Sequence, residues 1–304
     1  MNWHDDGSTI VIIPPQNFNY DECLLFLGRS NQEVLYQIQD SMIYKLIKIG
    51  ESFILFSVRF QKNVLLVDFP IEAPDKDIRN QIASFIWEWF DFDFELSQFK
   101  KVTENDEILG PLSNQYDGLR IICIPDMFEA LTWAIIGQQI NLPFAYSLKR
   151  RFVKRFGESL MYNGETYFCF PTYETIARIH IEELTELQFS KRKAEYVIGI
   201  ARLMANGELS KSKVLEMNEY AHMKKMLTKI RGIGDWTADY VLMKCFHQPD
   251  AFPISDAGLH QALKKQLGLT QKPMIQEIEE ISKNWNGYKA YAVFYLWRSL
   301  YGTL

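Results

Sequence analysis

The chain has 304 residues, 47% of them hydrophobic and 14% aromatic, enough for one large domain or two to three ordinary ones with a substantial packed core. No stretch approaches the roughly 18 consecutive apolar residues of a membrane span, and the apolar run 10–13 stops at Pro14-Pro15, unlike a signal peptide, so a cytoplasmic protein with no membrane partner is expected. The net charge of −5 conceals an asymmetry that points any anionic partner at the second part of the chain: residues 1–114 carry 9 Lys+Arg against 18 Asp+Glu, a net of −9, and residues 115–304 carry 24 against 20, a net of +4.

In chain order, segments 42–49, 52–60 and 63–69 are rich in branched and aromatic residues and separated by short turns, predicting an antiparallel meander. A helix is expected from about Asp75, where Ile78, Ile82, Phe85 and Trp89 recur at helical spacing. Residues 91–115 read as a polar, irregular linker, which places a domain boundary there: an N-terminal α+β domain at 1–114 and a mostly helical domain at 115–304. The expected fold class is therefore α+β, with an N-terminal antiparallel sheet followed by a helical core. Asp126 with Glu129 has the form of a capping box opening a helix to about Gln139, and Asn141 with Pro143 opens another that ends near Gly157. Residues 160–171 suggest a small hairpin. Helices are expected from Thr172, from Ser190 to a stop at Gly207, from about Asn218, and beyond Trp285. The basic run 149–155 reads as a solvated helix face, and the five histidines lack ligand spacing. Cys23, Cys123, Cys169 and Cys245 are too scattered for a disulfide scaffold or a metal-binding motif.

The most informative stretch is 227–260, LTKIRGIGDWTADYVLMKCFHQPDAFPISDAGLH. Gly232-Ile233-Gly234 lies between two helical patterns, and a G-x-G turn permits positive φ and close approach by another chain. A helix opening after it presents backbone N–H groups and a positive dipole end, which suits a phosphate. A plain corner between two helices is the alternative. Asp256 lies 22 residues after Gly234, beyond a helix and the Pro-bearing loop 249–253, and is followed by a plausible helix. It is either a helix N-cap or a reactive carboxylate.

This combination resembles the helix-hairpin-helix DNA glycosylase superfamily over roughly residues 115–304, with the helix-hairpin-helix at about 219–246 and the hairpin at 230–234. Members of the strand-cleaving branch resemble G-x-G-x-K-T-A; here Trp236 stands at the lysine position, so no Schiff base and no lyase activity are expected. No cysteine follows Cys245, so no iron–sulfur cluster is expected. The resemblance narrows to the bacterial 3-methyladenine DNA glycosylase II type. It implies Asp256 as the catalytic carboxylate, Trp236, Tyr240 and Trp297 as the base pocket, and Gln139 as the wedge that fills the stack behind a flipped nucleotide. It also implies phosphate binding by N–H groups near Gly232, Gly234 and Thr237. A monovalent cation, Na+ or K+, would sit on the main-chain carbonyls of Thr228, Ile230 and Ile233. Asp239 stands where that family shows asparagine, and Arg298 where it can show tyrosine.

The implied activity is monofunctional hydrolysis of the glycosidic bond of alkylated purines, 3-methyladenine or 7-methylguanine, in double-stranded DNA, by a monomer needing no cofactor. An alkylated purine is a cation that stacks well on electron-rich rings and leaves without being protonated, so one carboxylate can suffice. Two alternatives remain: a glycosylase for a neutral or oxidised base, which would need more hydrogen-bonding partners, and a non-catalytic helix-hairpin-helix DNA-binding protein, which has no use for Asp256.

Overall fold

A computed structural model describes residues 1–302. The strands, in chain order, are β1 (Trp3–Asp5), β2 (Thr9–Ile12), β3 (Gln37–Gln39), β4 (Met42–Ile49), β5 (Ser52–Gln61), β6 (Val64–Asp68), β7 (Ser159–Tyr162) and β8 (Glu165–Phe168). The helices are α1 (Tyr20–Leu27), α2 (Lys76–Trp89), α3 (Leu96–Thr103), α4 (Leu109–Gln115), α5 (Met127–Gly137), α6 (Leu142–Phe156), α7 (Tyr173–Ala177), α8 (Ile181–Glu186), α9 (Lys191–Ala205), α10 (Lys211–Leu215), α11 (Tyr220–Thr228), α12 (Asp235–Cys245), α13 (Ala257–Gln266), α14 (Ile275–Ile281) and α15 (Lys289–Arg298). None is long and apolar enough to cross a membrane.

The chain divides into two compact units, each built from separate stretches. The first comprises Met1–Pro15, Ser30–Glu88 and Phe128–Ser210. Its sheet is antiparallel throughout, in the order β1-β2-β6-β5-β4-β3. Alternation makes it: in β2 and β6 every second residue is buried, placing Ile10, Ile12, Leu65 and Val67 on one face. The meander β4-β5-β6 follows the expected spans closely. Strands β1, β2 and β3 add to it, being too short to carry a readable period. The β7-β8 hairpin packs Tyr167 against Leu46 and Leu55 of the sheet.

Helix punctuation in this unit works as expected. The side chains of Asn141, Thr172 and Ser190 accept the N–H groups of Phe144, Thr175 and Lys193 at the starts of α6, α7 and α9. Gly207, at φ +71°, lets the chain leave α9. The run 149–155 differs from expectation at its first member. Lys149 is buried, 3.0 Å from Glu33 and 3.7 Å from Glu129, because α6 turns that side chain inward against two carboxylates.

The second unit comprises Gln16–Arg29, Trp89–Met127 and Lys211–Leu304. The boundary expected at residue 114 falls inside it. The irregular linker expected at 91–115 is instead α3 and α4, whose Leu96, Phe99, Leu109 and Leu112 are buried. These helices are only 8 and 7 residues long, so tertiary burial rather than a periodic stripe stabilises them. Helix α15 is buried on nearly every side, from Ala290 through Leu296. Each large apolar side chain so enclosed contributes about 1.5–3 kcal/mol, making α15 a rigid post for whatever it carries.

Candidate active site

The site is built on α11, α12, α13 and α15, all in the second unit. Between α11 and α12 the chain turns through Gly232 at φ +96°, a conformation that excludes most side chains, and the Ile233 N–H donates to the Ile230 carbonyl at 3.0 Å. Gly234 is the extended N-cap of α12; it is exposed and supplies no side-chain cap. Thr237, one turn in, is 2% exposed. Thr228 ends α11, its hydroxyl donating back to the Lys224 carbonyl at 2.9 Å.

Asp239, 1% exposed, ties the two helices together: it accepts from the Tyr220 hydroxyl at 2.5 Å and from Lys224 Nζ at 2.9 Å. Burial pushes its carboxyl up, against the opposing effect of those two hydrogen bonds. Asp239 therefore serves the joint between the helices. Arg298 is likewise a packing residue, 1% exposed, with Nε 2.8 Å from Glu22 Oε2 and its guanidinium 4.5 Å from the Tyr116 ring centre.

Beyond α12 the Pro-bearing loop is held at several points. The Ala290 N–H donates to the Pro249 carbonyl at 2.9 Å, and the Gly287 N–H donates to Asp250 Oδ1 at 2.5 Å. The loop is thus fixed to the start of α15. The two ring nitrogens of His260 lie 2.9 Å from the Ile254 carbonyl and 3.1 Å from the Pro273 carbonyl, bracing the residues just before Asp256.

Asp256 realises both roles left open by the sequence. It caps α13, with Oδ1 accepting the Leu259 N–H at 2.8 Å. The same carboxylate takes the indole N–H of Trp297 on Oδ1 at 2.7 Å and that of Trp236 on Oδ2 at 3.1 Å. A carboxylate offers about four acceptor positions; these three donors fix its plane and leave capacity on Oδ2. Tyr240 lies between the two indoles, its ring centre 5.6 Å from that of Trp236 at 29° and 6.0 Å from that of Trp297 at 35°. Asp256 and all three rings are half-buried, so the cluster reaches the surface and is not a sealed core.

The four residues expected to form the carboxylate and its aromatic wall are therefore together. Gln139 belongs to the first unit. It is exposed at φ +55° on the turn between α5 and α6. Sequence reasoning missed Gly258. A Cβ there would lie 2.9 Å from Asp256 Oδ1 and 3.2 Å from Trp297 Cδ1, so only glycine leaves the indole and carboxylate undisturbed. A glycine in the first turn of a predicted helix, two residues after the key aspartate, was the available signal.

Comparison with known proteins identifies the family. The family of HhH-GPD superfamily base excision DNA repair proteins matches residues 132–287, just over half of the chain, and the N-terminal domain of 8-oxoguanine DNA glycosylase matches residues 10–131. The chain is 45% identical over 304 residues, 99% of its own length and 100% of the relative's, to DNA-3-methyladenine glycosylase of Bacillus subtilis (strain 168). It is 29% identical to DNA-3-methyladenine glycosylase 2 of Escherichia coli (strain K12), over 62% of this chain and 63% of that one. Its fold is shared by the solved 3-methyladenine DNA-glycosylase from Archaeoglobus fulgidus, with a TM-score of 0.82 and 22% identity over 97% of this chain and 99% of that one. The chain belongs to the HhH-GPD superfamily of base excision DNA repair proteins.

Proposed function

We propose that this protein hydrolyses the N-glycosidic bond of alkylated purines, of the 3-methyladenine and 7-methylguanine type, in double-stranded DNA and leaves the strand intact. The observation that carries the reading is the Asp256 carboxylate, gripped by the indole N–H groups of Trp236 and Trp297 beside the Tyr240 ring. A base within a duplex is out of reach of any side chain, so the nucleotide must be extruded, at a cost of roughly a few kcal/mol. A cationic purine recovers part of that cost on electron-rich ring faces, on the order of 0.5–2 kcal/mol. As the glycosidic bond lengthens, positive charge moves from the base onto the sugar. An oriented carboxylate stabilises that charge and directs water to the anomeric carbon. The water supplies hydroxyl to the sugar and loses a proton, while the base departs with the bonding electron pair.

The remaining parts of the reading concern DNA. The N–H groups around Gly232, Gly234 and Thr237 would hold a backbone phosphate at the start of α12, and Gln139 would occupy the stack vacated by the flipped nucleotide. The main-chain carbonyls of Thr228, Ile230 and Ile233 would hold Na+ or K+ in the hairpin. An uncharged oxygen set suits a monovalent ion, and the Ile230 carbonyl keeps a second lone pair beside the bond from Ile233. The protein would act as a monomer, with Trp236 in place of an amine nucleophile.

The test is incubation with methylated duplex DNA and with an 8-oxoguanine duplex. Free 3-methyladenine or 7-methylguanine is expected, with strands that break only after hot alkali. Release from the oxidised duplex alone would favour the neutral-base reading, for which the match to the 8-oxoguanine glycosylase N-terminal domain is the motive. Borohydride trapping of a protein–DNA adduct would overturn the monofunctional assignment.

A further inference from the structure

Among the described residues, one group of side chains has metal-ligating atoms from three distant parts of the chain converging on one point. Asp91 follows α2, Cys123 precedes α5, and His247 follows α12; one ligand atom of each lies within 4.8 Å of the others. His247 Nδ1 is 2.7 Å from Asp91 Oδ1 and 3.6 Å from Cys123 Sγ. All three belong to the second unit, and none takes part in the proposed excision of bases.

Hydrogen bonding alone serves this trio poorly. An imidazole nitrogen that gives its proton to the carboxylate at 2.7 Å leaves the sulfur at 3.6 Å only a weak acceptor's share of that proton. As lone-pair donors to a cation, the carboxylate, the imidazole nitrogen and the thiolate are compatible. The spacing agrees: tetrahedral zinc, with bonds near 2.0–2.3 Å, sets its ligand atoms roughly 3.3–3.7 Å apart. The sulfur–nitrogen pair is already there, the oxygen–nitrogen pair needs to open by about half an ångström, and the sulfur–oxygen pair lies within 4.8 Å. The surroundings are those of ligands already oriented. Tyr291 donates its hydroxyl to Asp91 Oδ2 at 2.8 Å, turning Oδ1 toward the centre. The Cys123 N–H donates to the Trp89 carbonyl at 2.7 Å. Asp91 and His247 both adopt left-handed backbone, at φ +50° and +53°. The side chain of Asp91 is 7% exposed and that of His247 31%, so the point is enclosed on one side and open to solvent on the other.

We infer that Asp91, Cys123 and His247 form a site for a zinc-type divalent cation, with water as the fourth ligand, that pins the 89–127 segment to the end of α12. Binding forms bonds to the three side chains, strips all but one water from the hydrated ion, moves the imidazole proton to Nε2 and releases the thiol proton to solvent. Cobalt is the probe, since its thiolate complexes absorb where zinc's do not.

The protein is stripped with chelator and titrated with Co2+ alone, then with Zn2+. The expected result is about one equivalent of tetrahedral cobalt with a thiolate charge-transfer band, displaced by zinc, and a thermal midpoint raised by either ion. Cys123→Ser should lose the band, and Cys169→Ser should keep it. His247→Gln, which leaves the thiol in place should Cys123→Ser fail to fold, should bind cobalt at least tenfold more weakly. Absence of the band in the wild type, or its survival unchanged in Cys123→Ser or His247→Gln, overturns the inference. Base release plays no part in the readout, so the proposed function stands or falls separately.

Discussion

Gly258→Ala should cost more in activity than in stability. The new Cβ would meet Asp256 Oδ1 at 2.9 Å and the Trp297 ring at 3.2–3.3 Å, so the indole, the carboxylate or both must move. The bond at risk is the 2.7 Å donation from Trp297 Nε1 to Asp256. A hydrogen bond to a charged group is worth about 1.5–3 kcal/mol net, which converts to roughly a 10- to 150-fold loss of rate if the carboxylate's orientation is what the reaction needs. In the opposite direction, alanine is favoured over glycine within a helix by up to about 1 kcal/mol, which offsets part of that loss, so the thermal midpoint should fall only modestly. Single-turnover release of methylated bases beside a thermal melt measures both. In a Trp297→Phe background the alanine should cost little more, because the donor is already gone. Full activity in Gly258→Ala, within about twofold of wild type, would refute the argument that the Trp297–Asp256 contact organises the site.

Lys244 gives a pH test. It is buried on α12, donates to the Ile122 carbonyl, and lies 4.9 Å from the Phe294 ring centre; burial pushes its ammonium down to about 7. The unfolded chain holds that proton up to about pH 10.4, so between about 7 and 10 the unfolded state binds more protons and stability rises with pH. The burial-raised thiols of Cys23 and Cys169, at about 12 and about 11, act oppositely above about pH 8.5, so the comparison is with Lys244→Met. Denaturant melts should show wild type gaining on the variant by about 1.4 kcal/mol per pH unit from pH 7.5 to 9. A parallel pair of curves would contradict this placement of the lysine. Asp239→Ala should destabilise by about 1–3 kcal/mol, because it strands the Tyr220 hydroxyl and leaves the Lys224 ammonium only the exposed Asp235 at 3.5 Å, whereas Asp239→Asn keeps a partner for Tyr220 and should cost less. Equal loss in both variants would mean that the charge alone holds the two helices.

The parts of the fold that announce themselves in the sequence are those with local rules. Residues 42–49 and the caps Asn141, Thr172 and Ser190 could be read because branched-residue runs bounded by turns and capping side chains act within a few residues. Helices α1, α3 and α4 could not, since each is short and owes its stability to distant partners. The same distinction governs the site. Trp236 and Tyr240 are one helical turn apart and Asp256 lies in the same motif, so their grouping was visible, with Trp297 supplied by resemblance. The two indole N–H bonds to one carboxylate and the meeting of Asp91, Cys123 and His247 depend on contacts across 20 to 156 residues of sequence and leave no local mark.

Asp256→Asn tests the central claim most directly. Asparagine retains the shape and can still accept the Leu259 N–H and one indole N–H, so folding and DNA binding should survive. The negative charge proposed to stabilise the sugar is lost, and base release from methylated duplex under single-turnover conditions should fall at least about 100- to 1,000-fold. A folded Asp256→Asn protein that binds the duplex and still releases methylated bases at the wild-type rate would contradict the assignment of this carboxylate.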